Sequence, residues 1–541
     1  MNLKTKIKDI IYDALTKMDI NIDKKDIVVE IPKQRENGDF SSSIALKLCK
    51  ELKMNPIELA ESIKSNIEDE LIDEIEIAKP GFINFRLNRK QIFNGINEIN
   101  KLEDNYGKST IGNNEKINVE YVSANPTGIL HLGTARGAAY GDSLCNILSF
   151  AGYDVTREYY INDAGNQIDN LGMSILVRYK ELCGIEEELP ENGYHGVEII
   201  KIAEKIKEEY GESKLDEDIE FFKNLGLNTL LDQIKKDLKQ FRVEFDIWTS
   251  EKDVRKKGRI EESLEILKKQ GDTYEKDGAL YLKTTKYGDD KDRVLIKSDG
   301  LYTYFTPDIA YHLDKIDRGY DKLIDVLGAD HHGYVSRLKA SIKALGYDDS
   351  KLTVKLLQLV RLIRNGEEVK MSKRTGKTVT ITELIDEVGV DAARYFFSLR
   401  GLDTQMDFDI DLATKNSNEN PMFYVQYAHA RICSILRDAK EKNIDLANKF
   451  DTSITDSAYN LISKVYEFNN VVEEAAIKRE PHLITNYLYE LATLFHSYYA
   501  QEKILTDDID LASQKLAIIN TVKITIKNAL LLIGVEAKER M

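Results

Sequence analysis

Two short stretches of the 541-residue chain carry side chains that could act on phosphate groups. In the first, HLGT places a histidine at position 131, between an apolar segment and a stretch of helical periodicity. The first N–H groups of a helix lack partners within the helix and carry partial positive charge, which attracts anions. In the second, KMSKR follows an Asn-Gly turn and supplies Lys370, Lys373 and Arg374. A lone basic turn is usually just solvated, but beside a phosphate-binding unit these cations favour a nucleotide site.

The elements around the histidine predict one strand-helix-strand unit. Residues 119–122 are mostly β-branched or aromatic, as in buried strands, and the Asn-Pro-Thr-Gly turn that follows ends the strand. A helix is expected from there to Gly152, with Gly133 and Gly137 allowing a nucleotide to approach it closely. A second strand over 155–161 then gives a parallel pair.

The other half of the sheet is predicted further along the chain, from strand 323–328, helix 334–345 and strand 354–363. In doubly wound parallel sheets of this kind, ligands bind at the switch point. The charged, helical segment between the two halves predicts an insertion at about 171–290. An α/β Rossmann-type catalytic domain is therefore expected over residues 113–412.

Two further domains are predicted on either side of the sheet. Residues 1–112 predict an α+β domain that opens with an amphipathic helix rather than a signal peptide. It includes a strand over 27–31, a helix over 41–52, and strands over 75–77 and 82–87. Residues 413–541 predict an all-α bundle with apolar residues at i, i+3 and i+4 spacing. Its expected helices are 422–440, 457–478, 481–501 and 511–533.

Composition sets broad limits on function. The chain has 76 basic and 92 acidic residues, a net charge of −16, which weakly disfavours nucleic-acid binding, although a local basic face stays open. The four cysteines lie far apart without CxxC spacing, which predicts reduced thiols in a cytoplasmic protein, without zinc or disulfides. We expect no membrane partner, because no apolar run approaches bilayer length. DNA is not expected as a partner either.

HLGT and KMSK together resemble the HIGH and KMSKS motifs of class I aminoacyl-tRNA synthetases. The resemblance narrows to the arginyl-tRNA synthetase family through neighbouring segments and extends over nearly the whole chain, from GDFSSSIALKL to GVEAKERM. The segments that carry the resemblance to this family are VEYVSANPTG, ARGAAYGD, GLYTYFTPDIAYH, GADHHGYVSRLKA and VQYAHARICSIL. The resemblance implies an N-terminal tRNA-contacting domain, a Rossmann-type catalytic domain and an all-helical anticodon-binding domain. It also implies that ATP activates L-arginine to arginyl-adenylate, releasing pyrophosphate, and that arginine passes to the 3′-terminal ribose of tRNA(Arg).

The resemblance also implies roles for individual residues. His131, Lys370 and Lys373 would be catalytic, and Phe82 with Asn84 would bind tRNA by stacking on and hydrogen bonding to a D-loop base. Spacing alone would make Phe82 and Asn84 an ordinary strand face. The residues expected to bind ATP are His131, Gly133, Thr134, Lys370, Met371, Ser372 and Lys373. Those expected to bind arginine are Glu120, Ser123, Asn125, Tyr304, Asp308 and His331, with Asp330 as an alternative to His331.

The cofactor expectation is Mg²⁺ arriving with ATP, with no resident metal, because the His331-His332 pair has no third ligand at useful spacing. A monomer is expected. One departure from the family is Thr134, where most class I enzymes have a second histidine. Two alternatives stay open: another class I synthetase, which Asp308 and Tyr304 disfavour, and a catalytically inactive RNA-binding paralogue, which intact HLGT and KMSK disfavour.

Overall fold

The protein is described from a computed structural model covering residues 2–32, 34–369, 379–450 and 455–541. It has an N-terminal α+β domain, a central parallel sheet and a C-terminal all-helical domain, which confirms the predicted fold class. Within the described residues, none of the helices is both long enough and apolar enough to cross a bilayer.

The N-terminal domain is built on a four-stranded antiparallel sheet. Its elements are α1 (Leu3–Lys17), β1 (Val29–Glu30), β2 (Phe40–Ser42), α2 (Ile44–Leu52), α3 (Pro56–Ser65), β3 (Ile72–Ala78), β4 (Phe82–Leu87), α4 (Arg89–Asn94) and α5 (Ile96–Leu102). The strand order is β1-β2-β4-β3. The helix predicted over 41–52 begins only at Ile44, because Ser41 and Ser42 belong to β2 and their hydroxyls bond to neighbouring strand segments.

The central sheet has five parallel strands in the order β12-β11-β5-β6-β7. Its first half contains β5 (Lys116–Glu120), α6 (Leu132–Phe150), β6 (Asp154–Ile161), α7 (Asn166–Leu182), α8 (Val197–Tyr210), α9 (Ile219–Gln240) and β7 (Ile247–Ser250). The chain segment that leads to its second half contains α10 (Glu251–Lys256), α11 (Arg259–Lys269), β8 (Thr273–Lys276), β9 (Ala279–Leu282), β10 (Arg293–Ile296), α12 (Phe305–Asp317), β11 (Lys322–Gly328), α13 (Tyr334–Ala344) and β12 (Leu352–Leu357). Of these strands, β11 and β12 belong to the parallel sheet. From β5 the chain adds β6 and β7 on one side, and it later adds β11 and β12 on the other side of β5. The switch point therefore lies between β5 and β11.

The segment predicted as an insertion, 171–290, is more varied than its helical pattern suggests. Helices α7, α8 and α9 pack around a small core of their own. The same range also contains β7, the edge strand of the parallel sheet, and two strands of an antiparallel sheet ordered β10-β9-β8. A four-residue edge strand is too short to stand out from periodicity alone.

The strand predicted over 354–363 is in fact two strands in different sheets. β12 belongs to the parallel sheet, whereas β13 (Val360–Arg364) pairs with β14 (Glu367–Glu368) and β15 (Met406–Asp409). The predicted Asn365-Gly366 turn joins β13 to β14, with φ of 50° and 77° as a hairpin of this type requires. Helices α14 (Ile381–Val388), α15 (Val390–Phe397) and α16 (Ile410–Thr414) complete this region.

The C-terminal domain is the predicted helical bundle, with one difference. Its helices are α17 (Pro421–Glu441), α18 (Asp456–Tyr466), α19 (Phe468–Lys478), α20 (His482–Gln501) and α21 (Ile509–Leu532). The helix predicted over 457–478 is broken at Glu467 into α18 and α19. One core cluster continues from this bundle into the other two domains. Tyr106, which follows α5, is fully buried and its hydroxyl donates to the Val465 carbonyl at 2.8 Å.

Candidate active site

The chain reverses direction immediately after β5. Val122 and Ser123 have φ of 69° and 37°, left-handed values that a β-branched valine rarely adopts. The Ser123 N–H donates to the Tyr121 carbonyl at 2.9 Å, closing a three-residue turn. Backbone strain of this kind, about 1–3 kcal/mol per residue, concentrates at functional sites. The sequence predicted the turn three residues later, because no glycine marks the actual reversal.

The reversal brings Ser123 back against Glu120 at the carboxyl end of β5. Ser123 Oγ donates to Glu120 Oε1 at 2.9 Å and accepts from the Tyr160 N–H at 3.1 Å. Glu120 Oε2 accepts from the fully buried Lys315 Nζ at 2.5 Å. Both oxygens of this carboxylate are therefore held in a fixed orientation.

Lys315 belongs to a buried chain of charges that the sequence did not reveal. Its Nζ also donates to Asp325 Oδ1 at 3.0 Å, and Asp325 Oδ2 lies 2.8 Å from His312 Nε2. Burial would lower the pKa of Lys315, but Asp325 and Glu120 raise it above its ordinary value. Burial likewise opposes the charged form of His312, but Asp325 raises its pKa. His312 Nδ1 faces the Asp308 carbonyl at 2.7 Å, so both ring nitrogens face acceptors, an arrangement that favours the protonated ring.

Asp308 lies in the first turn of α12, behind this chain. Burial raises its pKa from 3.8 to about 6, although a hydrogen bond from the Tyr334 hydroxyl opposes that change. Burial and Asp308 together raise the pKa of Tyr334, so the phenol remains a donor. A desolvated carboxylate with one neutral donor is well suited to a cationic ligand. Tyr334 was not among the predicted site residues.

Three other residues predicted for the amino-acid pocket are more exposed. Tyr304, just before α12, is 77% exposed, and Tyr334 rather than Tyr304 contacts Asp308. The His331 side chain is about half exposed and lies with its Nε2 3.5 Å from Asp330 Oδ2. Asn125 is also exposed. These three side chains are therefore more accessible than those of Glu120, which is 8% exposed, and Asp308, which is half-buried.

His131 caps the N-terminus of α6. Its Nδ1 accepts from the Thr134 N–H at 3.4 Å, and Thr134 Oγ1 lies at the same distance from that nitrogen. Desolvation lowers the pKa of His131, which favours the neutral ring, and a neutral ring whose Nδ1 accepts a hydrogen bond carries its proton on Nε2. A Cβ at Gly133 would crowd this ring at 3.3 Å, whereas Gly137 is buried against Leu357 and serves helix–strand packing.

The predicted residues Lys370, Met371, Ser372 and Lys373 lie outside the described residues. The residues that follow this segment are described and contact the histidine region. The Leu132 N–H donates to the Val379 carbonyl at 3.1 Å, and His131 forms an antiparallel bridge with Thr380. Within the described residues, no cluster of three or more acidic, histidine or cysteine side chains could hold a metal ion.

The two residues predicted to bind tRNA differ in accessibility. Phe82, the first residue of β4, is 36% exposed. Asn84 is only 4% exposed, and its Oδ1 accepts from Ser41 Oγ at 2.7 Å. The ring of Phe82 is available for stacking, whereas Asn84 already stabilises the sheet.

Models of three families match successive parts of the chain. They are the arginyl tRNA synthetase N terminal domain over residues 5–87, the class I (R) tRNA synthetase catalytic domain over 97–399, and the DALR anticodon binding domain over 425–541. The catalytic match and the parallel sheet define the protein as a class I aminoacyl-tRNA synthetase.

Proteins with similar sequences identify the family within this class. The arginine–tRNA ligase of Bacillus subtilis is 50% identical over 556 residues, covering all of both chains. Arginine–tRNA ligase 1 of Halalkalibacterium halodurans is 50% identical, covering 95% of this chain and 94% of that protein. The chain belongs to the arginyl-tRNA synthetase family, as predicted. The structure of Thermus thermophilus arginyl-tRNA synthetase, 21% identical, covers all of both chains with a TM-score of 0.78 and supports the fold.

Proposed function

We propose that the edge of the sheet at the β5–β11 switch point is the site where this arginine–tRNA ligase forms arginyl-adenylate. The observation that carries this assignment is the desolvated carboxylate of Asp308, next to the fixed carboxylate of Glu120 and on the same sheet edge as the α6 N-terminus. A cation with several N–H donors satisfies such a carboxylate, whereas a neutral amino acid would leave its charge unpaired.

The arginine guanidinium would pair with Asp308, whose orientation Tyr334 holds, and with the phenol of Tyr304 at the pocket opening. Glu120, Ser123 and Asn125 would line the pocket around the rest of the amino acid. His331, which follows β11, would bind the amino-acid end that faces ATP. Lys315 neutralises Glu120 from behind, so that this carboxylate does not repel the substrate carboxylate.

In the first step, a carboxylate oxygen of arginine attacks the α-phosphorus of ATP, and the bond from that phosphorus to the bridging oxygen breaks. Neutral His131 donates its Nε2–H to the α-phosphate, where negative charge develops, with Gly133 and Thr134 beside it. Lys370, Met371, Ser372 and Lys373 would hold the departing pyrophosphate. Mg²⁺ accompanying ATP would be held mainly by phosphate oxygens, because the described residues contain no metal-binding cluster.

In the second step, a hydroxyl of the 3′-terminal ribose of tRNA(Arg) attacks the arginyl carbonyl, and AMP leaves. The proposed organisation assigns residues 1–112 and Phe82 to tRNA contact, 113–412 to catalysis and 413–541 to anticodon binding. Asn84 would support Phe82 rather than contact a base. We propose a cytoplasmic monomer that binds neither DNA nor membranes.

The test is ATP–pyrophosphate exchange with each amino acid, run with and without tRNA(Arg). Arginine alone should support exchange, and an Asp308→Asn variant should lose most of it. Asp317→Asn, which changes an exposed carboxylate at the other end of α12, is the matched control and should retain exchange. Exchange with another amino acid, or equal losses in both variants, would overturn the pocket assignment.

A further inference from the structure

A separate cavity of about 240 Å³ lies where the catalytic domain meets the helical domain. Its walls come from Tyr140 of α6, from β12, from the loop after α15 and from the turn between α19 and α20. Tyr140 lies nine residues after His131, which along an α-helix is about 14 Å. The cavity is therefore distinct from the ATP site.

This cavity collects positive charge in a protein of net charge −16. Lys355, Arg400, Arg479 and His482 line it, together with two carboxylates, Asp403 and Glu480. His482 Nε2 lies 3.9 Å from Glu480 Oε2.

Among the described residues, Lys355, Arg400 and Arg479 have no carboxylate within ion-pair distance. Lys355 Nζ instead donates to the Lys478 carbonyl at 3.3 Å. Burial lowers the pKa of Lys355, and nearby Arg479 adds to that effect, while Glu480 and Asp403 oppose it. Lys355, Arg400 and Arg479 outnumber the two carboxylates of the lining, and this net positive charge favours an anionic ligand.

Two buried side chains of α6 hold the walls in place. Arg136, 1% exposed, donates to the carbonyls of Gln358, Gly401 and Thr404 at 2.8–3.0 Å, which fixes the loop after α15. The Tyr140 hydroxyl donates to the Arg479 carbonyl at 2.8 Å, which fixes the turn between α19 and α20. A preorganised site loses little entropy when a ligand binds.

The cavity also contains an unused polar atom. His482 Nδ1 is buried without a hydrogen-bond partner among the described residues, and it lies in the first turn of the 20-residue helix α20. The N-terminal end of a helix adds partial positive charge to the side chains gathered there.

We propose that this cavity binds a phosphate group, and that during aminoacylation the phosphate belongs to the tRNA backbone. The inference rests on the proposed function: tRNA must extend from the helical domain to the catalytic site, and the cavity lies at the junction of the two. Arg400 and Arg479 provide the planar donors that bind phosphate oxygens in pairs. Free inorganic phosphate is the other ligand that the same side chains could bind.

The experiment measures tRNA(Arg) affinity of the full-length protein at several salt concentrations. Arg400→Gln and Arg479→Gln should each weaken binding about tenfold and lower the slope of log affinity against log salt by about 1. Arg479→Lys should restore most of the affinity. Lys478→Gln, next in sequence but outside the cavity wall, is the matched control and should change neither quantity. For the Arg400→Gln and Arg479→Gln variants, the kcat of aminoacylation at saturating tRNA should stay at the wild-type value.

A second arm titrates inorganic phosphate into the wild-type protein and an Arg400→Gln/Arg479→Gln double variant by calorimetry. Phosphate binding lost in the double variant, with unchanged tRNA affinity, would support the site but assign it to free phosphate. The proposal is overturned when neither ligand distinguishes the variants from wild type, or when Lys478→Gln causes the same loss as Arg479→Gln. Arginylation by the wild-type protein tests the proposed function independently of these outcomes.

Discussion

Replacing Asp308 by asparagine should stabilise the fold while impairing arginine binding. Burial raises the pKa of Asp308 from 3.8 to about 6, so the carboxylate is harder to ionise in the folded protein than in the unfolded chain. Well above pH 6 the charged group therefore destabilises the native state, by about 3 kcal/mol. As the pH falls through 6 toward 3.8, the folded carboxyl takes up a proton and the penalty disappears. Asparagine carries no charge at any pH, and its amide oxygen can still accept from Tyr334.

Urea unfolding at pH 8 and pH 5 measures this effect. Asp308→Asn should be more stable than wild type by about 3 kcal/mol at pH 8 and by about half of that at pH 5. Asp317→Asn, at the exposed end of the same helix, should change stability by less than about 1 kcal/mol at both values. A pH-independent difference, or a less stable Asp308→Asn protein at pH 8, would refute the assignment of Asp308 as a desolvated charge.

The same substitution should act in the opposite direction on function. Losing one partner of a buried charge pair costs about 2–5 kcal/mol, so the KM for arginine should rise at least about thirtyfold. For the wild-type protein, arginine affinity should fall about tenfold per pH unit below pH 6, because arginine must compete with a proton for the carboxylate. Arginine affinity that stays constant from pH 8 to pH 5 would contradict this reasoning.

Three further predictions concern other parts of the molecule. Lys315→Met leaves buried Glu120 without its cation and Asp325 with His312 as its remaining partner, and should lower stability by about 3–5 kcal/mol in urea unfolding. Gly534→Ala should lower the melting temperature, because Gly534 has a φ of 67° and its added methyl group would meet the buried Arg394 guanidinium. Phe82→Ala should raise the KM for tRNA and leave the KM for ATP unchanged in aminoacylation assays; equal changes in both would remove the stacking role.

The sequence by itself determined the features that depend on local patterns. The strand-helix-strand unit at the HLGT motif, the Asn365-Gly366 hairpin and the helical bundle all follow from turn chemistry and from periodicity over adjacent residues. Family resemblance added the roles of the two motifs, and the role of Asp308 in the amino-acid pocket. Each turn, strand or helix among these features is encoded within a few tens of consecutive residues.

Only the tertiary structure decided how these pieces act on one another. Tyr334 is 26 residues from Asp308, and Lys315 is 195 residues from Glu120, yet each pair forms a hydrogen bond. No local pattern marks such partners, because Asp308 and Tyr334 meet only when α12 and α13 flank β11, and Lys315 meets Glu120 only when β11 pairs with β5. The elevated pKa of Asp308 has the same origin, since desolvation comes from packing by elements far apart in the chain. The left-handed turn at Val122 also depends on packing, because the surrounding structure must offset its strain.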